Sequence, residues 1–361
     1  MKGIKKIREM LGFSQKDLAE KLNVHVSLIS KWEKGERQPT TELLFELSKI
    51  LGLSIDFIMN YEGKYNIKFR SKRISRMNDT GEVLKDLMQL IYYILKSYEM
   101  LNQLPEKFNY FMKFDLQDFK KQCDEIKELF KLNRIVSFSE LKEALIEKNI
   151  HVFEWNLPNK ISGISYREDI AVIVINYNHS KERKLFTLAH ELAHIIFHLN
   201  EIDTNITISE VSSINKIEEK VANSFAAELL MPSDEIEKLI EFFKDDIRHP
   251  LTLDTMAKYF NVSREAVFYR LAEKKLFDWK EKSKFFSKIN LSEVISSNRV
   301  INIDEQVSKK FLINALTLYA NEKISTGKLS EWLFVDRITL EEYLSNLSKI
   351  TSEELFIGAG N

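Results

Sequence analysis

The chain has 361 residues, 44% hydrophobic and 30% charged, with ten glycines, five prolines, one cysteine and a formal net charge of −1. That length points to two or three domains with real cores, and the low Gly and Pro content points to a helix-rich protein. A single cysteine, Cys123, excludes a disulfide framework and fits a reducing cytosol. No apolar run of about 18 residues is present, so no membrane span is expected. Met1 to Lys6 reads as an amphipathic helix start without the apolar core of a signal peptide, so a cytoplasmic location is expected. The charge is divided unevenly. Residues 1–76 carry 16 Lys+Arg against 9 Asp+Glu, a net of +7, and the remainder carries 37 against 45, a net of −8. A basic module joined to an acidic body suggests that only the N-terminus meets nucleic acid.

In chain order, residues 1–60 read as a set of short helices. Ile4, Ile7 and Leu11 mark the first. Ser14 caps the second with Asp17 at the capping-box position, followed by Leu18 and Leu22. Val24 to Trp32 forms a third, Gly35 and Pro39 break the chain, and Leu43, Leu44, Leu47 and Leu51 form a fourth. Ile55, Phe57 and Ile58 close the unit. Residues 61–80 are polar and basic, with Lys64, Lys68, Arg70, Lys72, Arg73 and Arg76, and read as a linker or a DNA-backbone contact. Residues 82–132 are helical in pattern. From about 133 the pattern changes: a helix over Glu140 to Lys148, β-like runs at Val152-Phe153 and Ile161 to Tyr166, and a clear strand at Ala171 to Asn176. Ser180 caps the next helix, and a second runs from about Ile217 to Leu230. Residues 252–275 have helix-turn-helix spacing, with Ser263 as N-cap. Residues 281–361 read as mostly helical. The aromatics Phe277, Trp279, Phe285 and Phe286 read as core.

The run Ser14-Gln15-Lys16-Asp17-Leu18-Ala19-Glu20-Lys21-Leu22, then Val24 and Ile29-Ser30-Lys31-Trp32-Glu33-Lys34-Gly35, resembles the Xre/Cro-type helix-turn-helix family over residues 1–60. In that family the third helix lies in the major groove. The resemblance implies that His25, Val26, Ser27 and Lys31 face bases, while Gln15, Ser30, Lys34 and Arg37 reach phosphates or the groove edge. Arg8 and Glu33 match the family's structural ion pair and are given no DNA role. The expected partner is a double-stranded DNA operator, and a homodimer is compatible with this module.

The helix after Ser180 carries His190-Glu191-Leu192-Ala193-His194, an H-E-x-x-H motif. Positions i and i+4 share one helix face, so both imidazoles can reach one metal ion, and Glu191 can hold the attacking water and take its proton. A catalytic zinc site needs a third protein ligand and an open position. The segment Glu219-Lys220-Val221-Ala222-Asn223 offers one. Glu219 and Asn223 are i and i+4, so one can ligate while the other hydrogen-bonds the outer face of an imidazole. Glu218 is a rival ligand, rotated about 100° off that face. A His/His/Glu set accepts zinc, manganese or iron. For His179 and His198 the packed or surface reading is preferred, and Glu228 reads as a surface or structural charge.

Phe186-Thr187-Leu188-Ala189-His190-Glu191-Leu192-Ala193-His194, followed by Glu219-x-x-x-Asn223 and Phe225-Ala226-Ala227-Glu228-Leu229-Leu230-Met231-Pro232, resembles the ImmA/IrrE family of zinc-dependent metallopeptidases over residues 140–275. The resemblance implies a gluzincin-like fold, with His190, His194 and Glu219 as zinc ligands, Glu191 as the catalytic proton acceptor and Asn223 behind a ligand. It also implies cleavage of helix-turn-helix repressors in mobile elements or stress responses. The strand Ala171–Asn176 is expected to pair with an extended substrate.

The expected fold is therefore mainly α with a small β-sheet, an α+β architecture. Its expected parts are an all-α helix-turn-helix domain at 1–60, a basic linker and connecting helices at 61–132, and a zincin domain at 133–245. A helix-turn-helix-like segment packed on the peptidase follows at 246–280, then a helical C-terminal region at 281–361 with a partner or sensor role. The expected function is a DNA-binding regulator with a zinc endopeptidase that cleaves a repressor or a paired regulator. The alternative is a transcription factor or antitoxin-like binder whose zincin domain only senses or holds a partner.

Overall fold

Side-chain caps set where the first helices begin. In this computed structural model, which describes residues 3–61, 78–199, 206–210, 217–282, 286 and 302–358, α1 spans Ile4–Met10, α2 Gln15–Lys21, α3 Val26–Lys34, α4 Thr41–Leu51 and α5 Ile55–Asn60. Ser14 and Asp17 cap α2 reciprocally, and His25 Nδ1 accepts the Ser27 N–H at the start of α3. Between them Asn23 takes a left-handed φ of 51°, which turns α3 across α2. Ile4, Ile7, Leu18, Ile29, Trp32, Leu47 and Phe57 are wholly buried, so each helix contributes its apolar stripe to one core. Arg8 bridges this core's edge, its Nε 2.6 Å from Glu33 Oε1. The basic stretch from Lys64 to Arg76, and Phe285, lie outside the described residues.

Two compact units form. Among the described residues, the first combines 3–61, 81–105 and 302–358; the second holds 78–80, 106–199, 206–210, 217–282 and 286. In the first, the five helices share their unit with most of α6 (Asn78–Met100) and with α14 (Ile303–Gln306), α15 (Lys309–Ala320), α16 (Thr326–Leu333) and α17 (Arg337–Gly358). The N-cap of α5 shows how they join. Ser54 donates its N–H to Gln89 Oε1 at 2.8 Å and its Oγ lies 2.9 Å from the Tyr93 hydroxyl. That hydroxyl donates to Glu331 Oε1 at 2.5 Å, and the Tyr93 ring stacks on Trp332. Lys328 of α16 pairs with Asp56 of α5.

The second unit is built on a four-stranded sheet of order β1-β3-β2-β4, with β1 at Ile150–Trp155, β2 at Ile161–Arg167, β3 at Ala171–Asn176 and β4 at Ile206–Glu210. β3 runs parallel to β1 and antiparallel to β2, and β4 pairs antiparallel with β2. Helices α7 (Phe119–Leu129), α8 (Phe138–Glu147), α9 (Lys181–Ala193), α10 (Ile217–Leu230), α11 (Ser233–Phe243), α12 (Pro250–Phe260) and α13 (Arg264–Glu273) complete it. Ser180 caps α9 and Ser263 caps α13. Glu228 is a buried structural charge, paired with Arg270 of α13. Phe277 and Phe286 pack on Phe268, whereas Trp279 is exposed.

Two expectations are corrected. The helical pattern over 82–132 is broken, because residues 101–118 carry no helix. The Gln122 side chain binds Lys113 O and Asp115 N–H, and Met112 N–H donates to Ile196 O, so this backbone is held as an irregular strap. Second, Ala171–Asn176 cannot pair with a substrate. β3 lies inside the sheet with both edges paired and every residue buried, which explains its unbroken apolar run. β4, not β3, is the edge next to β2. Among the described residues no helix is long and apolar enough to cross a membrane.

Candidate metal centre

α9 presents Thr187, His190 and Glu191, and His194 directly after its last residue, from one buried stretch. α10 crosses it closely because Ala222 and Ala226 are small and wholly buried. The crossing brings three donors together: His190, His194 and Glu219 have ligand atoms all within 4.8 Å of one another. His190 Nε2 lies 3.1 Å from His194 Nε2 and 3.3 Å from Glu219 Oε2, and His194 Nε2 lies 3.8 Å from Glu219 Oε1. Ligands about 2.0–2.1 Å from a tetrahedral ion are spaced about 3.3–3.4 Å apart, so this set fits a single small dication. Glu218 is not part of the group. Asn223 Oδ1 accepts from His190 Nδ1 at 3.0 Å, which turns the other ring nitrogen toward Glu219.

Glu191 is wholly buried beside this group. Ser165 of β2 donates to its Oε2 at 2.9 Å, while its Oε1 has no hydrogen-bond partner among the described residues. An orphaned carboxylate oxygen at full burial costs free energy unless something occupies its other side. Burial pushes the Glu191 carboxyl up to about 7, against the downward pull of His190, Ser209 and Ser165. Ser209 of β4 stands close enough to draw the carboxyl down without a well-formed hydrogen bond. A dication held by the three donors would lower the carboxyl further by its own charge. Gly163 lets β2 approach α9, since a Cβ there would stand 2.6 Å from Glu191 Oε1.

The IrrE N-terminal-like domain family matches residues 147–272, and the helix-turn-helix family matches residues 4–58. The chain joins a helix-turn-helix domain to an IrrE-type metallopeptidase-family domain. The chain is 26% identical over 131 residues to the HTH-type transcriptional regulator ImmR of Bacillus subtilis, covering 35% of this chain and 95% of that protein. It is 33% identical over 113 residues to the radiation response metalloprotease IrrE of Deinococcus deserti, covering 30% of this chain and 39% of that protein. An HTH-type transcriptional regulator of Methanocaldococcus jannaschii is 37% identical over 59 residues, 16% of this chain and 89% of that protein. The peptidase family implies a metal, and His190, His194 and Glu219 are residues that could hold it.

The helix-turn-helix domain implies DNA binding. His25, Val26, Ser27, Lys31, Lys34 and Arg37 are exposed on α3 or beside its ends, and Gln15 and Ser30 are half-buried. Gln15 Nε2 donates to Glu33 Oε2 at 2.8 Å, so the Arg8–Glu33 pair also orients Gln15. Sequence reasoning missed Ser165 and Gly163. Only the lone glycine in an otherwise β-like run hinted at a close approach.

Proposed function

We propose that this chain is a DNA-bound zinc endopeptidase that cleaves a helix-turn-helix repressor or a paired regulator and so derepresses genes. His190, His194 and Glu219 hold the zinc, and Asn223 fixes the His190 ring. A bound zinc ion supplies Lewis acidity toward the scissile carbonyl and toward water. Glu191 accepts a proton at Oε1 and returns it to the leaving amine, with Ser165 holding Oε2. An extended substrate segment runs along β4, whose outer edge faces no other strand among the described residues.

The observation that carries this reading is the orphaned Glu191 Oε1, buried beside three donors spaced for one ion. A structural helix pair has no use for such an oxygen. On the DNA side, His25, Val26, Ser27 and Lys31 face bases, and Gln15, Ser30, Lys34 and Arg37 reach the backbone. Binding at an operator raises the protease's concentration near a repressor bound there. The test is to incubate the wild type and Glu191→Gln with candidate repressors and zinc. Cleavage by the wild type alone supports the reading. Intact candidates with both proteins, while DNA binding persists, would leave a regulator that holds its partner without cutting it.

A further inference from the structure

α9 does not end as an ordinary helix. Ala193 is followed by one π turn, His194–His198, in which Leu199 N–H reaches back to His194 O at 3.0 Å. π turns are rare and gather at functional sites. This one is fastened from two sides. Arg167 Nη1 of β2 donates to Ile195 O at 2.6 Å, and Met112 N–H of the 101–118 strap donates to Ile196 O at 3.2 Å. Arg167 is fixed in turn by Phe108, whose carbonyl it binds at 3.0 Å and whose ring lies 5.2 Å from its guanidinium. The turn sets the His198 ring against His194. Their Nδ1 atoms are 3.0 Å apart, their ring centroids 5.0 Å apart, and both residues are buried.

His194 Nε2 faces His190 and Glu219. A neutral imidazole has one N–H and one acceptor nitrogen. With the Nε2 lone pair directed to a metal, the proton sits on Nδ1 and must be donated, and His198 Nδ1 is the atom placed to accept it. We propose that His198 is a positioning residue of the metal centre: it accepts from His194 Nδ1 and thereby fixes the tautomer and ring orientation of that ligand. His190 is served in the same way by Asn223. Each histidine of the motif thus has its own partner behind it, one from α10 and one from the π turn. The inference rests on reading His190, His194 and Glu219 as a metal site, and not on peptide hydrolysis.

The test measures zinc affinity of the full chain by chelator competition, and the visible spectrum of the cobalt-loaded protein. The variants are His198→Leu, His198→Asn and His198→Gln. Loss of such a partner typically weakens metal binding about 10–100-fold. His198→Leu is expected to show that loss with an altered cobalt spectrum, and His198→Asn to regain most of it, since its amide oxygen can stand where Nδ1 stood. His198→Gln, which reaches toward the Nε2 position instead, should rescue less. If His198→Leu fails to fold, the order of Asn above Gln carries the test, and equal affinities overturn the proposal. Wild-type affinity and spectrum in a folded His198→Leu also overturn it, as does equal loss in all three variants. A wild type that binds zinc without cutting any peptide removes the endopeptidase reading and leaves this one standing. A wild type that binds no metal removes both.

Discussion

Gly163→Ala perturbs the centre without touching a metal donor. The added Cβ would lie 2.6 Å from Glu191 Oε1, 2.8 Å from Glu191 Cγ and 2.8 Å from Thr187 Cγ2. Comfortable carbon contacts are about 3.5–4.0 Å, so β2 and α9 must part by about 1 Å. Glu191 and Thr187 are both buried on α9. Overpacking of this kind costs about 1–3 kcal/mol. A unit of this size loses about 2–4 °C of melting temperature per kcal/mol. A catalytic group misplaced by about 1 Å costs about 100-fold in rate. The expected result is a peptidase unit that melts several degrees lower, keeps its zinc affinity and turns over about 100-fold more slowly. Differential scanning calorimetry, metal analysis and a cleavage time course read these separately. Unchanged melting with full turnover would refute the close approach of β2 to α9, and with it the placement of Glu191.

Glu219→Ala should purify with little or no zinc, as measured by elemental analysis, and unchanged zinc content would promote Glu218 as the third ligand. Arg8→Ala strands Glu33, whose side chain is only 4% exposed, and should destabilise the helix-turn-helix unit by about 3–5 kcal/mol in denaturant titrations. Lys34→Ala and Arg37→Ala should each flatten the salt dependence of operator affinity by about one unit of slope, with sequence preference retained. Altered base preference at constant slope would instead assign them to the base edges.

The elements legible in the sequence are those whose signal is local. Ser14 with Asp17 and Ser180 mark helix starts that the structure also shows, and Ile217–Leu230 forms the helix that its apolar pattern suggests. The i, i+4 spacings of His190 with His194 and of Glu219 with Asn223 are visible in the sequence, because helix period alone puts those residues on one face. What was hidden depends on long-range approach. The apolar run of β3 is the same whether the strand is an edge or buried between neighbours, so strand order could not be read from it. Residues 101–118 contain enough apolar side chains to look helical, and only the distant carbonyl of Ile196 shows where Met112 N–H goes. Ser165 and Gly163 lie more than twenty residues from Glu191, and His198 needs a π turn that no local pattern announces. The joining of α15 and α16 to the N-terminal helices rests on Tyr93, Ser97 and Asp56, again across long separations.

The most direct measurement of the central claim is cleavage of a candidate helix-turn-helix repressor in heavy-oxygen water, with the new termini read by mass spectrometry. Hydrolysis at the His190–His194–Glu219 centre, with Glu191 taking the proton, predicts one heavy oxygen in the new carboxyl terminus with the wild type. The same account predicts no new terminus with Glu191→Gln, even when that variant is fully loaded with zinc. Equal cleavage by the two zinc-loaded proteins would contradict it.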